Sequence, residues 1–339
     1  MLRLHSEDQK EKLWPTNAGY SLLLFLCLCQ SWSKVNCQHT WQEAFKALGI
    51  KWNPDGSLER EIQIPTVNAT PFADPKHHTQ VALSTDVQLS PNSRAYIRLY
   101  IPVNPPTEKK LPLVIYLHGG DFVLLVYLLL LFHEFCNNIA AQFPAVVASV
   151  EYRLAPENRL PEAYEDALNA NFLGSIPSTG GNIVYHAAIR ALDFDLRPIR
   201  IQGILMNQPF FGGVQRTPSE IRLIEDAYVP LYVCDVLWSL ALPPNVDRDH
   251  EFCNPLAGDS YAGRVPRLPR FFIKGNEGDP LVDRTTQLVQ LLQSYGVPVV
   301  YQFNQGGYHG IELLNKTEAQ YLYSAMRDFV YSTRATEDI

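Results

Sequence analysis

From about residue 84 the chain alternates short β-branched and aromatic runs with amphipathic helical stretches, and this alternation limits the fold more than any other feature. A chain that runs strand, helix, strand builds a mainly parallel sheet with helices on its faces. The strongest strand runs are Ala95 to Ile101, Pro112 to Leu117, Ala145 to Tyr152, Asn171 to Ser175, Ile201 to Asn207, Arg270 to Lys274 and Pro298 to Phe303. Helical patterns fall between and after them at Leu131 to Gln142, Pro161 to Ala170, Gly181 to Leu192, Arg284 to Ser294 and Thr317 to Ser332. In the Arg284 stretch, Leu288, Leu291 and Leu292 share one face by their i, i+3, i+4 spacing, and Gly296 supplies the stop. The fold class is therefore α/β.

Three segments depart from that rhythm. Residues 1–40 carry no pattern that joins them to the sheet, and residues 41–83, with the Pro54-Asp55-Gly56 turn, read as an N-terminal cap segment. Residues 208–269, rich in proline and short helical patches, read as an excursion from the α/β domain that spans 84–339. A length of 339 residues suits one large domain of this kind with a small cap.

Charge and cysteine usage exclude some partners. A net charge of −7, with no Lys/Arg-rich run, gives no footprint for nucleic acid. The six cysteines Cys27, Cys29, Cys37, Cys136, Cys234 and Cys253 show no paired metal-ligand spacing and read as reduced structural thiols. The apolar run Tyr20 to Cys29 is too short to span a bilayer. Its flanks mix charges, so the expected location is cytoplasmic; the alternative is secretion, with that run as a signal core ahead of Ser31 and Ser33. Sequons at Asn68 and Asn315 matter only under that alternative. A second apolar run, Val123 to Phe132, is also too short for a membrane span and is expected as a buried helix.

Three motifs fall where open α/β sheets place their sites, at the ends of expected strands. Leu117 to Phe122 reads LHGGDF, and successive glycine amides in a tight turn can converge on a developing oxyanion, although a Gly-Gly pair after a strand also reads as a plain turn. Ser178 precedes Gly180 and Gly181 and opens a helical run, which is the downstream half of a G-x-S-x-G turn; a helix-start serine is the other reading. Asp279 and His309 lie in loops after the strands RFFIK and VVYQF, in the chain order Ser, Asp, His of a hydrolase triad.

With LHGG at 117–120, SVEYRLAPENRLPEAYEDA at 149–167, STGGNIVYHAAIRAL at 178–192, NQPFFGG at 207–213 and GDPLVD at 278–283, the chain resembles the plant carboxylesterases of the hormone-sensitive-lipase-like α/β-hydrolase family (α/β hydrolase fold-3) from about residue 45 onward. The resemblance implies a serine esterase acting on small-molecule esters without metal or cofactor, with Ser178 as nucleophile, His309 as base and Asp279 as its orienting carboxylate. It places the oxyanion hole at the amides of Gly119, Gly120 and Thr179. A receptor branch of the family, which binds a hormone and lacks the histidine, supplies the alternative of a catalytically impaired binding protein; a dehydratase branch supplies a lyase.

The sequence also departs from the family pattern. Asp121 replaces the third glycine of HGGG, leaving an amide that can still donate but adding a carboxylate near the forming negative charge. Ile176-Pro177 precede Ser178 where a glycine is usual, and another alignment keeps Gly174-Ser175 instead. The helix Pro161 to Ala170 gives the crossover only about 15 Å at 1.5 Å per residue, against a strand of about 17–20 Å.

Overall fold

Parallel strands covered on both faces need apolar side chains on both, and the chain's strand runs supply them. A computed structural model of the protein describes residues 39–53, 57–61, 65–73, 80–88, 96–106, 110–124, 129–169, 178–258 and 261–332. The expected strand Asn171 to Ser175, the Ile176-Pro177 pair and the first apolar run lie outside those residues.

Helix α1 (Trp41–Ala47) begins at a capping box, in which Thr40 Oγ1 accepts from the Glu43 amide and Glu43 accepts from the Thr40 amide. A two-stranded hairpin follows, β1 (Ile50–Trp52) and β2 (Leu58–Arg60). Arg60 fastens this hairpin to the body: its guanidinium donates to the Val123 and Ala155 carbonyls and pairs with Glu157 at 2.9 Å.

The first sheet has the order β3 (Ala82–Gln88), β4 (Tyr96–Pro102), β6 (Val146–Val150), β5 (Leu113–Leu117), with helix α2 (Leu130–Gln142) joining β5 to β6. The β5–β6 pairing is parallel from Leu113↔Val146 to Leu117↔Val150, and the other two pairings are antiparallel. Strand β3 was not among the expected strands. Its ALSTDVQ sequence is largely polar because it is an edge strand, exposed over its last four residues. The expected helix Val123 to Phe132 is corrected at its start: the Val123 and Leu124 amides turn back onto the Gly120 carbonyl, and the described helix runs from Leu130.

Helix α3 (Glu162–Asn169) and helix α4 (Thr179–Ala191) lead to β7 (Ile204–Asn207). Helices α5 (Pro218–Arg222) and α6 (Leu231–Ala241) then precede β8 (Phe271–Asn276), α7 (Val282–Ser294), β9 (Val299–Asn304), α8 (Ile311–Leu314) and α9 (Lys316–Tyr331). Strands β7, β8 and β9 form a parallel sheet in that order. Residues 208–269 add no strand to either sheet among the described residues. No helix among the described residues is long and apolar enough to cross a membrane. Cys136, Cys234 and Cys253 are buried free thiols.

The period-2 alternation of the strands sorts their side chains into two cores. Val114, Tyr116, Val147, Leu205 and Phe272 pack with Phe132, Phe135 and Ile139 of α2 and with Leu322, Met326 and Phe329 of α9. Their neighbours Ile115, Leu117, Ala148, Ile204, Met206, Phe271 and Ile273 fall in the other cluster, with Ile183 and Val184 of α4 and Leu288 and Leu292 of α7. Both sheets contribute to both clusters, so the helices cover them as two layers. Each buried Val, Leu, Ile, Met or Phe among them stabilises the fold by about 1.5–3 kcal/mol relative to exposure.

Candidate active site

The C-terminal strand ends carry the site, as the α/β geometry requires. Gly119, Gly120 and Asp121 follow β5, Asp279 follows β8, and His309 follows β9. Ser178 is tied to the end of β7, its amide donating to the Asn207 carbonyl at 2.8 Å, and Thr179 is the first residue of α4.

Ser178 stands at φ 54°, ψ −116°, a conformation that costs a non-glycine residue about 1–3 kcal/mol. Its carbonyl accepts from the Phe210 amide at 3.0 Å and the Gly181 amide at 2.9 Å, so the strain is held from both sides. The side chain makes no helix-capping hydrogen bond. Helix α4 packs against both β5 and β7. A Cβ at Gly181 would lie 2.8 Å from Pro209 Cβ, so a side chain there would push the helix off the strand end. Small residues after the serine are required by that closeness.

Asp279 is buried, and its Oδ2 lies 2.9 Å from His309 Nδ1, while its Oδ1 accepts from the Leu281 amide at 2.9 Å. The two loops meet through glycines. The Gly278 amide donates to the Gly306 carbonyl at 3.0 Å, and a Cβ on Gly278 would fall 2.0 Å from the Gly307 carbonyl oxygen. Gly278→Ala is therefore expected to drive the loops apart and break the Asp279–His309 contact. A displacement of about 1 Å at a reacting group costs about 10²-fold in turnover. Ester hydrolysis by this variant, compared with that of the unmodified chain, checks it; equal rates would mean that the loops yield without moving the histidine.

Sequence reasoning did not single out Gln208. Its amide side chain grips the histidine loop on either side of His309, donating from Nε2 to the Tyr308 carbonyl at 2.9 Å and accepting at Oε1 from the Gly310 amide at 2.8 Å. Asn276 Nδ2 adds a bond to the same Tyr308 carbonyl at 3.2 Å. The motif NQPFFGG contained Gln208, but the partners lie about 100 residues away in sequence, and nothing local points to them.

Burial of the His309 ring lowers its pKa, but the Asp279 carboxylate, by charge and hydrogen bond, and the charges of Asp121 and Asp226 more than offset this and raise it to about 9. A general base works only in its neutral form. The imidazolium must lose its proton before it can take one, so kcat/KM is expected to rise with pH through a pKa near 9 and to fall about tenfold per unit below it. A pH–rate profile checks this; a plateau already reached at neutral pH would contradict it.

With this geometry in view, the comparisons with known proteins are specific. A family model described as alpha/beta hydrolase fold matches residues 114–171 and 177–313. The chain belongs to the alpha/beta-hydrolase fold family. It is 38% identical over 326 residues to "Probable carboxylesterase 8" of Arabidopsis thaliana, covering 87% of this chain and 95% of that one. It is 40% identical over 293 residues to "3-O-acetylpapaveroxine carboxylesterase CXE1" of Papaver somniferum, covering 76% of this chain and 88% of that one. The crystal structure of a thermostable esterase from Pseudomonas putida superimposes with a TM-score of 0.66 at 18% identity, covering 92% of this chain and 94% of that one, and shares the fold.

The loop after β5, the expected oxyanion loop, carries its own compensation. The Asp121 amide donates to Thr179 Oγ1 at 2.8 Å, and Thr179 Oγ1 in turn donates to Asp121 Oδ1 at 3.0 Å. That amide is thus spent on the threonine, which corrects the expectation that it remains free to donate to substrate. The amides of Gly119, Gly120 and Thr179 meet no acceptor among the described residues. His118 fixes the loop from below: it stacks on Tyr152 with centroids 4.1 Å apart, its Nδ1 lies 2.8 Å from the Gly119 carbonyl, and burial lowers its pKa to about 4, so it is neutral. The Ser178 hydroxyl rests against Asp121, with Oγ 3.4 Å from Oδ1.

Proposed function

We propose that this hydrolase is a serine carboxylesterase that cleaves small carboxylic esters through an acyl-enzyme intermediate. One observation carries the reading: buried Asp279 holds partly buried His309 at 2.9 Å on loops at strand ends, and Ser178 at another strand end is held at positive φ. The 35–40% identity of plant carboxylesterase relatives over most of the chain supports it.

The residues divide the chemistry as follows. Ser178 Oγ leaves Asp121, gives its proton to His309 Nε2 and bonds to the ester carbonyl carbon. The carbonyl oxygen gains the negative charge and takes hydrogen bonds from the amides of Gly119, Gly120 and Thr179. His309 passes its proton to the departing alcohol oxygen, and the carbon–oxygen bond breaks to leave an acyl-serine. Water, deprotonated by His309, then releases the acid. Asp279 holds the ring by its Nδ1–H and stabilises the imidazolium that forms in each half.

A pocket that Asp121 lines, together with Leu48, Leu124, Val229, Tyr232 and Leu237 among others, receives the ester. The rival reading, a hydrolase-fold binding protein of the hormone-receptor kind, needs that pocket but has no use for the aspartate–histidine couple.

Burst kinetics test the proposal. Mixing the chain with a nitrophenyl ester is expected to release about one nitrophenolate per chain before the steady state, with the acyl group recovered on Ser178. Ser178→Ala removes the burst. Label on another residue, or a burst that survives Ser178→Ala, would overturn it.

A further inference from the structure

We propose that Asp121 is a specificity-determining residue that selects esters carrying an ammonium group a few bonds from the scissile carbonyl. The inference rests on the esterase reading above.

The first observation is position. The Thr179 hydroxyl donates to Asp121 Oδ1 at 3.0 Å and accepts from the Asp121 amide at 2.8 Å, a reciprocal lock that fixes the carboxylate. The same Oδ1 lies 3.4 Å from Ser178 Oγ, so a substrate whose carbonyl carbon meets the serine must pass its neighbouring atoms along this carboxylate. Asp121 stands at φ 53° and Phe122 at φ 66°, in the left-handed region that glycine occupies without strain. The loop accommodates this side chain in a backbone better suited to glycine, and it aims the carboxylate into the site.

The second observation is the wall opposite. Asp121 opens into a pocket that also presents Asp226, Glu225, Tyr228 and Tyr232, and no lysine, arginine or histidine is among its described lining residues. Glu225 pairs with His39 at 3.0 Å. Asp226 accepts only from the backbone amides of Tyr228 and Val229, at 2.8 and 2.9 Å, and makes no ion pair among the described residues. Among the described residues, His309 is the one basic group whose charge both carboxylates feel. Once it gives up its proton to act as a base, Asp121 and Asp226 are left with hydroxyls, amides and aromatic rings, a setting that attracts a quaternary or protonated amine by charge and by ring quadrupole together. A neutral ester of the same shape gains neither.

Burial raises the pKa of Asp121, and the nearby charge of His309 opposes this. A cationic substrate would stand where it favours the ionised Asp121 and the neutral His309 together, so binding and the readiness of the base are coupled in the same direction.

The test compares 2-(trimethylammonio)ethyl butyrate with 3,3-dimethylbutyl butyrate, which has carbon in place of the cationic nitrogen. Binding is titrated first to Ser178→Ala, which cannot turn either ester over. The cationic ester is expected to bind at least about tenfold more tightly, with the preference shrinking as salt rises from about 0.02 to 0.5 M. Adding the near-isosteric Asp121→Asn is expected to remove most of the preference, and Asp226→Asn part of it. Should Asp121→Asn misfold, the salt series and Asp226→Asn still decide the matter. Equal binding of the two esters, or a preference that survives Asp121→Asn, overturns the proposal. Preferential binding with no Ser178-dependent turnover by the unmodified chain would instead sink the esterase reading and leave the cation preference standing.

Discussion

His309→Ala is expected to lower kcat/KM for a short-chain ester by about 10⁴-fold or more, and Ser178→Ala by about as much. The serine is a weak nucleophile until its proton has somewhere to go, and His309, braced by the buried Asp279 carboxylate, is the base proposed to take it. The double variant should be no slower than either single one, because nucleophile and base act as a unit. Whatever activity remains would come from substrate positioning and from the amides of Gly119, Gly120 and Thr179, which none of these changes removes. Steady-state kinetics on the three variants decide it. A His309→Ala protein that keeps a tenth of the activity, or a double variant much slower than both singles, would show that these residues do not work as one machine. His309→Ala also leaves the Asp279 carboxylate buried with, among the described residues, the Leu281 amide alone to satisfy it, so some loss of stability is expected with the loss of rate.

Lys274→Met is expected to destabilise the fold by about 3–5 kcal/mol. Lys274 on β8 is 1% exposed and pairs through Nζ with Glu312 Oε1, itself 4% exposed. Removing the lysine leaves a carboxylate in the interior with Asn207 Nδ2, at 3.2 Å, as its remaining donor. The pair lies beneath Ser178, because Asn207 faces Lys274 across the β7–β8 ladder and its carbonyl anchors the Ser178 amide. Adding Glu312→Leu should restore most of the stability, since two apolar side chains of similar volume replace both charges together. Shifts in the urea midpoint measure this. A Lys274→Met protein within about 1 kcal/mol of the unmodified chain would show that the interior tolerates the orphaned charge.

Much of this was legible in the sequence for a simple reason. Strands such as PLVIYL and RFFIK alternate between two buried faces, so their composition announces both the strand and the helical layers that cover it. The order serine, aspartate, histidine at strand ends is local information as well. Strand β3 escaped notice because an edge strand with exposed residues has little apolar pattern to read. The run Val123 to Phe132 misled because its hydrophobicity reports burial, while the Gly120 carbonyl decides that its first residues turn.

The site's supports were hidden in a different way. Gln208 clamps a loop about 100 residues later, and Gly278 is required by the carbonyl of Gly307. Asp121 looked like damage to an oxyanion loop until Thr179, 58 residues on, proved to share two hydrogen bonds with it.

By itself the sequence determined the layered α/β architecture and which residue types stand at the ends of its strands. Those follow from side-chain periodicity and turn composition, which act over a few residues. Only the tertiary structure decided how the groups face one another: Asp279 against His309, Ser178 against Asp121, and the Thr179 hydroxyl against the Asp121 amide. Hydrogen bonds and charges act through space at about 3 Å, and which distant residues come that close is set by the packing of the whole sheet rather than by any local stretch of chain.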